Sequence, residues 1–260
     1  RVDRFFIAQF EGLPLDQADE MDILEANGTV NFGSNKAYRA MLKKIKAGSP
    51  ATNPDDLQYI LDNVDVDNLF EYMALEMFVG NSDIGNIRYY RLHQEGSKWK
   101  WIWYDADYGL YSSKFNSPWS YLKVKGMGEQ KIDNTIFLKL LEHPDYKRKF
   151  LEKLADVYKT FTTEYMTQVL DGVLAEIQPE MKNHWERWGE LNDKAVTSEV
   201  PTTIDGAYTY WESRVNRLNN TLKVRPHRLW DFIKDEFKLT KTEMEELFGP
   251  QPDYPDDAVL

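Results

Sequence analysis

Apolar residues recur at helical spacing along most of the chain, and Gly, Pro, Asn or Asp stand where each repeat stops. The stretch 68–79 is apolar on most of its sides, which indicates a buried central helix that ends at Gly80. Asp65 or Asp67 is expected to cap this helix, and Asn53 is expected to cap the one before it. The same spacing predicts further helices over 35–47, 54–61, 135–142, 144–158, 163–177, 181–188, 204–224 and 229–237.

A pattern typical of strands occupies one stretch after the central helix. Residues 86–93 are rich in aromatic side chains, and 98–104 begin with alternating Lys and Trp. The four residues between them, 94–97, form a turn signal in which Gly96 can take a positive φ. The two stretches therefore predict a β-hairpin, and the fold class is expected to be α+β and mostly helical.

In the remaining segments, the apolar residues show no clear helical or strand periodicity. Residues 1–10 are expected to be β-rich or mixed, and 21–25 a short strand or turn. The stretches 111–133 and 190–203 are predicted to be polar loops. Arg225-Pro226 is expected to break the long helical pattern near the end of the chain.

Residues with oxygen ligands lie at both ends of the predicted hairpin. Asp83 and Asn86 precede its first strand, and Asp105 and Asp107 follow its second. Antiparallel pairing returns the chain to the start of the first strand. We therefore expect these four side chains to lie close together, although Asp83 and Asp105 are 22 positions apart.

Two carboxylates in this group set the expected chemistry. If the second strand continues to Asp107, the side chains of Asp105 and Asp107 face the same side and repel unless a cation or a proton lies between them. Asp105, which is nearer the strand, is expected to be the better buried of the two. Carboxylate and amide oxygens suit Mg²⁺ or Mn²⁺. The alternative is structural, because Asp and Asn also cap backbone groups at helix ends and turns.

In order and spacing, these residues resemble the CotH family, the atypical protein kinases related to spore coat protein H. The family pattern is an apolar helix, then Asn-x-Asp, a strand opened by Asn, and a hairpin that ends in W-x-x-Asp-x-Asp-x-Gly. The resemblance covers roughly residues 1–238. The segments that carry it are 81–83, 86–90, 103–109, Asp22 to Asn27 with Gly33 and Tyr38, and Arg225-Pro226 before an apolar helix.

The resemblance implies a role for each candidate residue. Asp83 would be the catalytic residue that accepts or orients the hydroxyl proton of the substrate, and Asn86 would bind metal. Asp105 and Asp107 stand where protein kinases have the Asp of DFG, which holds Mg²⁺ on the ATP phosphates. Asp83 and Asn86 are three positions apart, which is a shorter spacing than in the H-R-D-x-x-x-x-N loop of ordinary kinases. The implied cofactors are ATP and Mg²⁺ or Mn²⁺, and the implied acceptor is a hydroxyl of a protein or a small molecule.

The resemblance also sets expectations for the architecture. Residues 1–240 would form a domain similar to the C-terminal lobe of a protein kinase, with the hairpin at its active site. The N-terminal lobe would be incomplete, since no glycine-rich loop occurs in residues 1–30. Residues 241–260 would be an acidic, Pro-containing tail. The resemblance further favours a bacterial protein of the cell surface, the spore coat or the exterior.

Charge and composition argue against several other classes. The net charge is −11 and no basic run occurs, so nucleic acid is not an expected partner. No apolar run approaches the roughly 18 residues that a membrane-spanning helix needs. The chain has no Cys, which excludes a disulfide framework and thiolate metal sites.

Two other functions stay open on the sequence alone. A non-catalytic coat, surface or adhesion module of the same fold would bind a cation without ATP turnover. A metal-dependent hydrolase of glycans or phosphoesters would use the carboxylates and exposed aromatic residues. In the predicted loop, Lys123 and Lys125 could contact a phosphate, and Trp119 and Tyr121 could form a substrate platform, or the loop could simply be solvated. Titration calorimetry of ATP with and without Mg²⁺ separates the three functions.

Overall fold

The computed structural model of this chain describes residues 2–122, 132–195 and 203–255, without the side chains of 189–195. Helices dominate, which together with a small sheet confirms the predicted α+β, mostly helical class. The helices are α1 (Arg4–Phe10), α2 (Lys36–Ala47), α3 (Pro54–Asn63), α4 (Val66–Val79), α5 (Ser117–Leu122), α6 (Thr135–Leu141), α7 (Pro144–Thr160), α8 (Thr163–Ile177), α9 (Met181–Ala195), α10 (Ile204–Phe237) and α11 (Lys241–Phe248). The strands are β1 (Met21–Glu25), β2 (Thr29–Phe32), β3 (Arg88–Leu92) and β4 (Lys100–Ile102).

The predicted β-hairpin is confirmed as β3 and β4. These strands pair antiparallel, with Arg88 opposite Ile102 and Tyr90 opposite Lys100. Gly96 in the connecting turn has a φ of 74°, which a residue with a side chain rarely adopts. The hairpin therefore folds back at the residue that the sequence indicates.

β1 and β2 extend the sheet beyond this hairpin, in the order β2-β1-β3-β4. β1, in a segment predicted as a strand or turn, pairs with β3 along its whole length, from Met21 opposite Leu92 to Glu25 opposite Arg88. β2 is a short edge strand whose residues are mostly exposed. Its four residues, Thr-Val-Asn-Phe, alternate polar and apolar side chains, a short strand signal that the sequence analysis misses.

α4 is the buried central helix that the sequence predicts. Most of its apolar side chains are buried, and the helix packs against α5, α7 and β4. The Asp65 carboxylate accepts a hydrogen bond from the Asn68 amide at 3.1 Å, which confirms the predicted cap. Gly80 ends the helix in the left-handed conformation, with a φ of 65°. α4 thus delivers the loop with Asp83 from the centre of the core.

Two segments for which the sequence predicts no helix each contain a short helix. Residues 1–10 form α1 rather than a β-rich segment, because the Asp3 carboxylate accepts hydrogen bonds from two amides of the first turn, both at 3.1 Å. The predicted loop 111–133 contains α5, in which Tyr121 is buried. Tyr121 is therefore not part of an exposed substrate platform, whereas Trp119 is exposed. Lys123 and Lys125 lie outside the described residues.

α10 runs unbroken through Pro226, where the sequence predicts a break. A proline inside a helix leaves the carbonyl four residues earlier without its usual amide donor. That carbonyl belongs to Leu222, and the Thr163 hydroxyl donates to it at 3.1 Å. The Tyr158 hydroxyl donates to the carbonyl of Pro226 at 3.0 Å. Hydroxyl groups of α7 and α8 thus bind backbone carbonyls of α10 at the position where the sequence predicts that the helix breaks.

Two helices extend into segments predicted as a tail and a linker. α11 lies within 241–260, and its buried Met244, Leu247 and Phe248 belong to the main core. α9 continues to Ala195, within the segment 190–203 that is predicted to be a loop. Residues 196–202 and 256–260 lie outside the described part of the chain.

Candidate active site

Arg225 of α10 fixes the place where α4 ends. Its guanidinium donates to the carbonyls of Met77 (2.9 Å), Phe78 (2.8 Å) and Phe115 (2.9 Å), and to Ser117 Oγ (2.7 Å). The carbonyls of Met77 and Phe78 belong to the last turn of α4, which lacks partners inside the helix. This contact gives a structural role to the Arg225-Pro226 match seen in the sequence.

Gly80 is required where α4 and Arg225 meet. A Cβ atom on Gly80 would lie 2.6 Å from a guanidinium nitrogen of Arg225, and the φ of 65° already disfavours a side chain. The chain can therefore turn sharply after α4 while keeping the arginine in contact. The loop 81–86 begins directly at this fixed point.

The loop holds Asp83 by its backbone. Asn81 Oδ1 accepts a hydrogen bond from the Asp83 amide at 3.0 Å, which is an Asx turn. The Asn86 amide donates to the Asp83 carbonyl at 3.1 Å. Asn81 is buried, whereas Asp83 and Asn86 are partly exposed. The fixed backbone leaves the Asp83 carboxylate accessible from solvent.

The end of the hairpin differs from the prediction. β4 ends at Ile102, so Asp105 and Asp107 do not lie on a continuing strand. Asp105 has a φ of 54°, a conformation that Asp tolerates better than most residues. Both aspartates are exposed, so Asp105 is not buried at a strand end. The Leu110 amide donates to the Val79 carbonyl at 2.6 Å, which folds this segment back onto the end of α4.

The structure joins the two ends of the hairpin through Asn86 and Asp105. Asn86 Nδ2 donates to Asp105 Oδ2 at 2.6 Å, and the Tyr104 hydroxyl donates to Asn86 Oδ1 at 2.5 Å. Burial raises the pKa of Tyr104, the Arg88 guanidinium lowers it, and the charges of Glu25, Asp105 and Asp83 raise it. Asp107 makes no side-chain hydrogen bond or ion pair within the described residues.

The donor set suits a hard cation, although no group of carboxylates is assembled around one. Among the described residues, no three His, Cys, Asp or Glu side chains lie close enough together to hold a metal ion. Asn86 turns its amide nitrogen, not its oxygen, toward Asp105. Rotation of that amide by half a turn would place two oxygens side by side, an arrangement that a cation favours. Asn86 and Asp105 therefore fit Mg²⁺ or Mn²⁺ by chemistry, with this rearrangement.

Two residues of this region escape the sequence analysis. Tyr104 lies between Trp103 and Asp105, but its bond to Asn86 depends on the hairpin register. Glu76 is buried in α4, where the Tyr121 hydroxyl donates to its carboxylate at 2.8 Å. Glu76 is the one charged residue in the run 72–79, and that is the sequence signal that could have identified it.

The chain was compared with known protein families, curated proteins and solved structures. The family described as CotH kinase protein matches residues 9–229, a range that contains α4, the hairpin and Arg225. Comparison with curated proteins and with solved structures gives no match. Within the part of the chain that the structure describes, no helix is both long and apolar enough to cross a membrane. The chain belongs to the CotH kinase family.

Proposed function

We propose that this chain transfers a phosphoryl group from ATP to a hydroxyl group, with Mg²⁺ or Mn²⁺ as the metal ion. The observation that carries the proposal is the 2.6 Å hydrogen bond between Asn86 and Asp105. It brings a residue of the Asp83 loop beside a residue that follows β4. Membership of a kinase-like family supports the same chemistry.

In this proposal Asp83 accepts or orients the proton of the acceptor hydroxyl. Its carboxylate is partly exposed, while its amide and carbonyl are held by Asn81 and Asn86. A catalytic group of this kind needs a backbone fixed by neighbouring elements. Phosphoryl transfer depends mostly on the positioning of the reactants and on stabilisation of charge. The contacts that hold the backbone of Asp83 support the proposal on the first of these points.

Asn86 and Asp105 would hold the metal ion, with Asp107 as the alternative ligand. When bound, the ion would neutralise negative charge on the ATP phosphates. The Tyr104 hydroxyl now donates to the Asn86 oxygen that would serve as a ligand. Tyr104 therefore competes for this oxygen, and we expect its hydrogen bond to be released when the site is loaded.

A transfer assay tests the proposal directly. The chain is incubated with ATP labelled at the γ-phosphate and with Mg²⁺ or Mn²⁺, and label is measured in the chain itself, in added hydroxyl-containing peptides and polyols, and as free phosphate. We expect nucleotide-dependent transfer that is abolished when EDTA removes the metal.

The two rival functions give different results in the same assay. A non-catalytic module would bind the cation but transfer and release no label. A hydrolase would cleave glycans or phosphoesters at the same rate without nucleotide. Either result, or the absence of any transfer with metal and ATP present, would contradict the proposal.

A further inference from the structure

A buried carboxyl group lies beneath the proposed catalytic loop. Glu76, in the last turns of α4, is only 2% exposed. The Tyr121 hydroxyl of α5 donates to its Oε2 at 2.8 Å, and the Asn81 side chain also forms a hydrogen bond with the carboxylate. No Lys, Arg or His forms an ion pair with it in the described part of the chain. A buried carboxyl without a basic partner is costly, so neighbouring hydrogen bonds must support it.

Asn81 connects this buried carboxyl group to Asp83. Asn81 is 1% exposed, and its backbone amide donates to the Glu76 carbonyl at 3.3 Å. Its backbone carbonyl lies 3.3 Å from the Tyr121 hydroxyl, and its Oδ1 accepts the Asp83 amide at 3.0 Å. Asn81 thus contacts Glu76 and Tyr121 on one side and the backbone of Asp83 on the other.

We propose that Glu76 is a positioning residue for Asp83, which it acts on through Asn81. The Glu76 carboxyl and the Tyr121 hydroxyl fix both the side chain and the backbone of Asn81. Asn81 then fixes the turn that presents Asp83. The inference rests on the proposed function for what Asp83 does, but the chain of contacts stands independently of it.

The ionisation of Glu76 gives this contact a pH dependence. Burial raises the pKa of Glu76 to about 7, the hydrogen bonds from Tyr121 and Asn81 lower it, and the charge of Asp83 raises it. Glu76 also acts on Tyr72 of α4, whose pKa is raised by burial and by the charge of Glu76. The ionised carboxylate is the stronger acceptor for Asn81, so we expect the turn to be held more firmly above pH 7.

The stability of the fold depends on pH in the opposite direction to the positioning of Asp83. The folded chain binds this proton more tightly than the unfolded chain, whose carboxyl titrates near the ordinary value of 4.5. The stabilising contribution of the protonated form is therefore complete below the unfolded value and is lost as the pH rises through about 7. Firmer positioning above pH 7 thus accompanies a less stable fold.

Glu76→Gln tests the inference with a neutral side chain of nearly the same shape, and Glu71→Gln is the control on the exposed face of the same helix. In wild type, the amide resonance of Asp83 in ¹H–¹⁵N spectra is expected to titrate with a midpoint of about 7. We expect Glu76→Gln to lose this titration and Glu71→Gln to keep it. In the transfer assay, Glu76→Gln should lower kcat about tenfold with little change in the KM for ATP, because Asp83 and not the nucleotide site is displaced.

Tyr121→Phe is a second test if Glu76→Gln does not fold. It removes a donor that lowers the pKa of Glu76, so the titration of the Asp83 amide should move above pH 7. An Asp83 amide that titrates in Glu76→Gln as in wild type would overturn the inference. So would an unchanged kcat per folded molecule in that variant. A wild-type chain without any transfer activity would overturn the proposed function, whereas the titration of the Asp83 amide would still decide the role of Glu76.

Discussion

Replacement of Arg225 by Met is expected to lower the free energy of unfolding by about 3–5 kcal/mol, a large share of the about 5–15 kcal/mol that stabilises a typical domain. Arg225 is 1% exposed and donates to three backbone carbonyls and to Ser117 Oγ. Methionine fills a similar volume but removes all four of these hydrogen bonds. The Met77 and Phe115 carbonyls keep a donor in Ser117, whereas the Phe78 carbonyl loses the donor that Arg225 supplies. Burial lowers the pKa of Arg225 to about 10, so the side chain is charged at neutral pH.

Equilibrium unfolding in urea measures this effect. Arg217→Met is the matched control on the same helix. Arg217 is exposed and its guanidinium lies over the Tyr111 ring at 4.2 Å, so we expect the free energy of unfolding to change by about 1 kcal/mol at most. Arg225→Lys should lie between the two, since lysine keeps the charge but cannot reproduce the planar fork of donors. An Arg225→Met chain that unfolds at the wild-type urea concentration would show that Arg225 does not hold the end of α4.

The second large effect is expected from the two proposed site aspartates. Asp83→Asn should reduce kcat of phosphoryl transfer by about 10²–10⁴-fold, because an amide cannot accept the hydroxyl proton. Asp105→Asn should reduce transfer by a similar factor and also raise the Mg²⁺ or Mn²⁺ concentration needed for half-maximal rate. Initial rates measured over a range of metal concentrations separate the two effects.

Asp107→Asn decides between the two candidate ligands of the hairpin end. Asp105 contacts Asn86, whereas Asp107 is exposed and makes no such contact. We therefore expect Asp107→Asn to lower the rate about tenfold at most. Asp156→Asn, at an exposed position on α7, should leave the rate unchanged. Equal loss in Asp107→Asn and Asp105→Asn would contradict the assignment of Asp105 as the principal ligand.

The parts of the fold that follow from local chemistry could be predicted from the sequence. The turn at Gly96 and the capping residue Asp65 act within a few positions of the elements they define. Antiparallel pairing of the hairpin then brings the start of β3, which follows Asn86, and the segment after β4, which contains Asp105, to the same end of the sheet. The hairpin, the start of the central helix and the approximate location of the site could therefore be predicted from residues close together in the sequence.

The parts that depend on distant partners could not be predicted. α10 continues through Pro226 because Thr163 satisfies the Leu222 carbonyl, and these residues are 59 positions apart. Glu76 is likewise explained by Tyr121, which is 45 positions away. The left-handed Asp105 is set by the return of its segment onto Val79, so the strand could not be traced to its end from alternation alone. The cap at Asp3 is an exception, since this local signal was present and was missed.

The most direct test of the account locates the metal ion. Mn²⁺ with a non-hydrolysable ATP analogue is added to the ¹⁵N-labelled chain, and the paramagnetic loss of amide signals is mapped, with Mg²⁺ as the diamagnetic reference. We predict the strongest losses at Asn86, Asp105 and their neighbours in the chain, little loss in α8, and no such pattern in Asp105→Asn. Signal losses centred elsewhere, or the same losses in Asp105→Asn, would contradict a metal–nucleotide site at the ends of this hairpin.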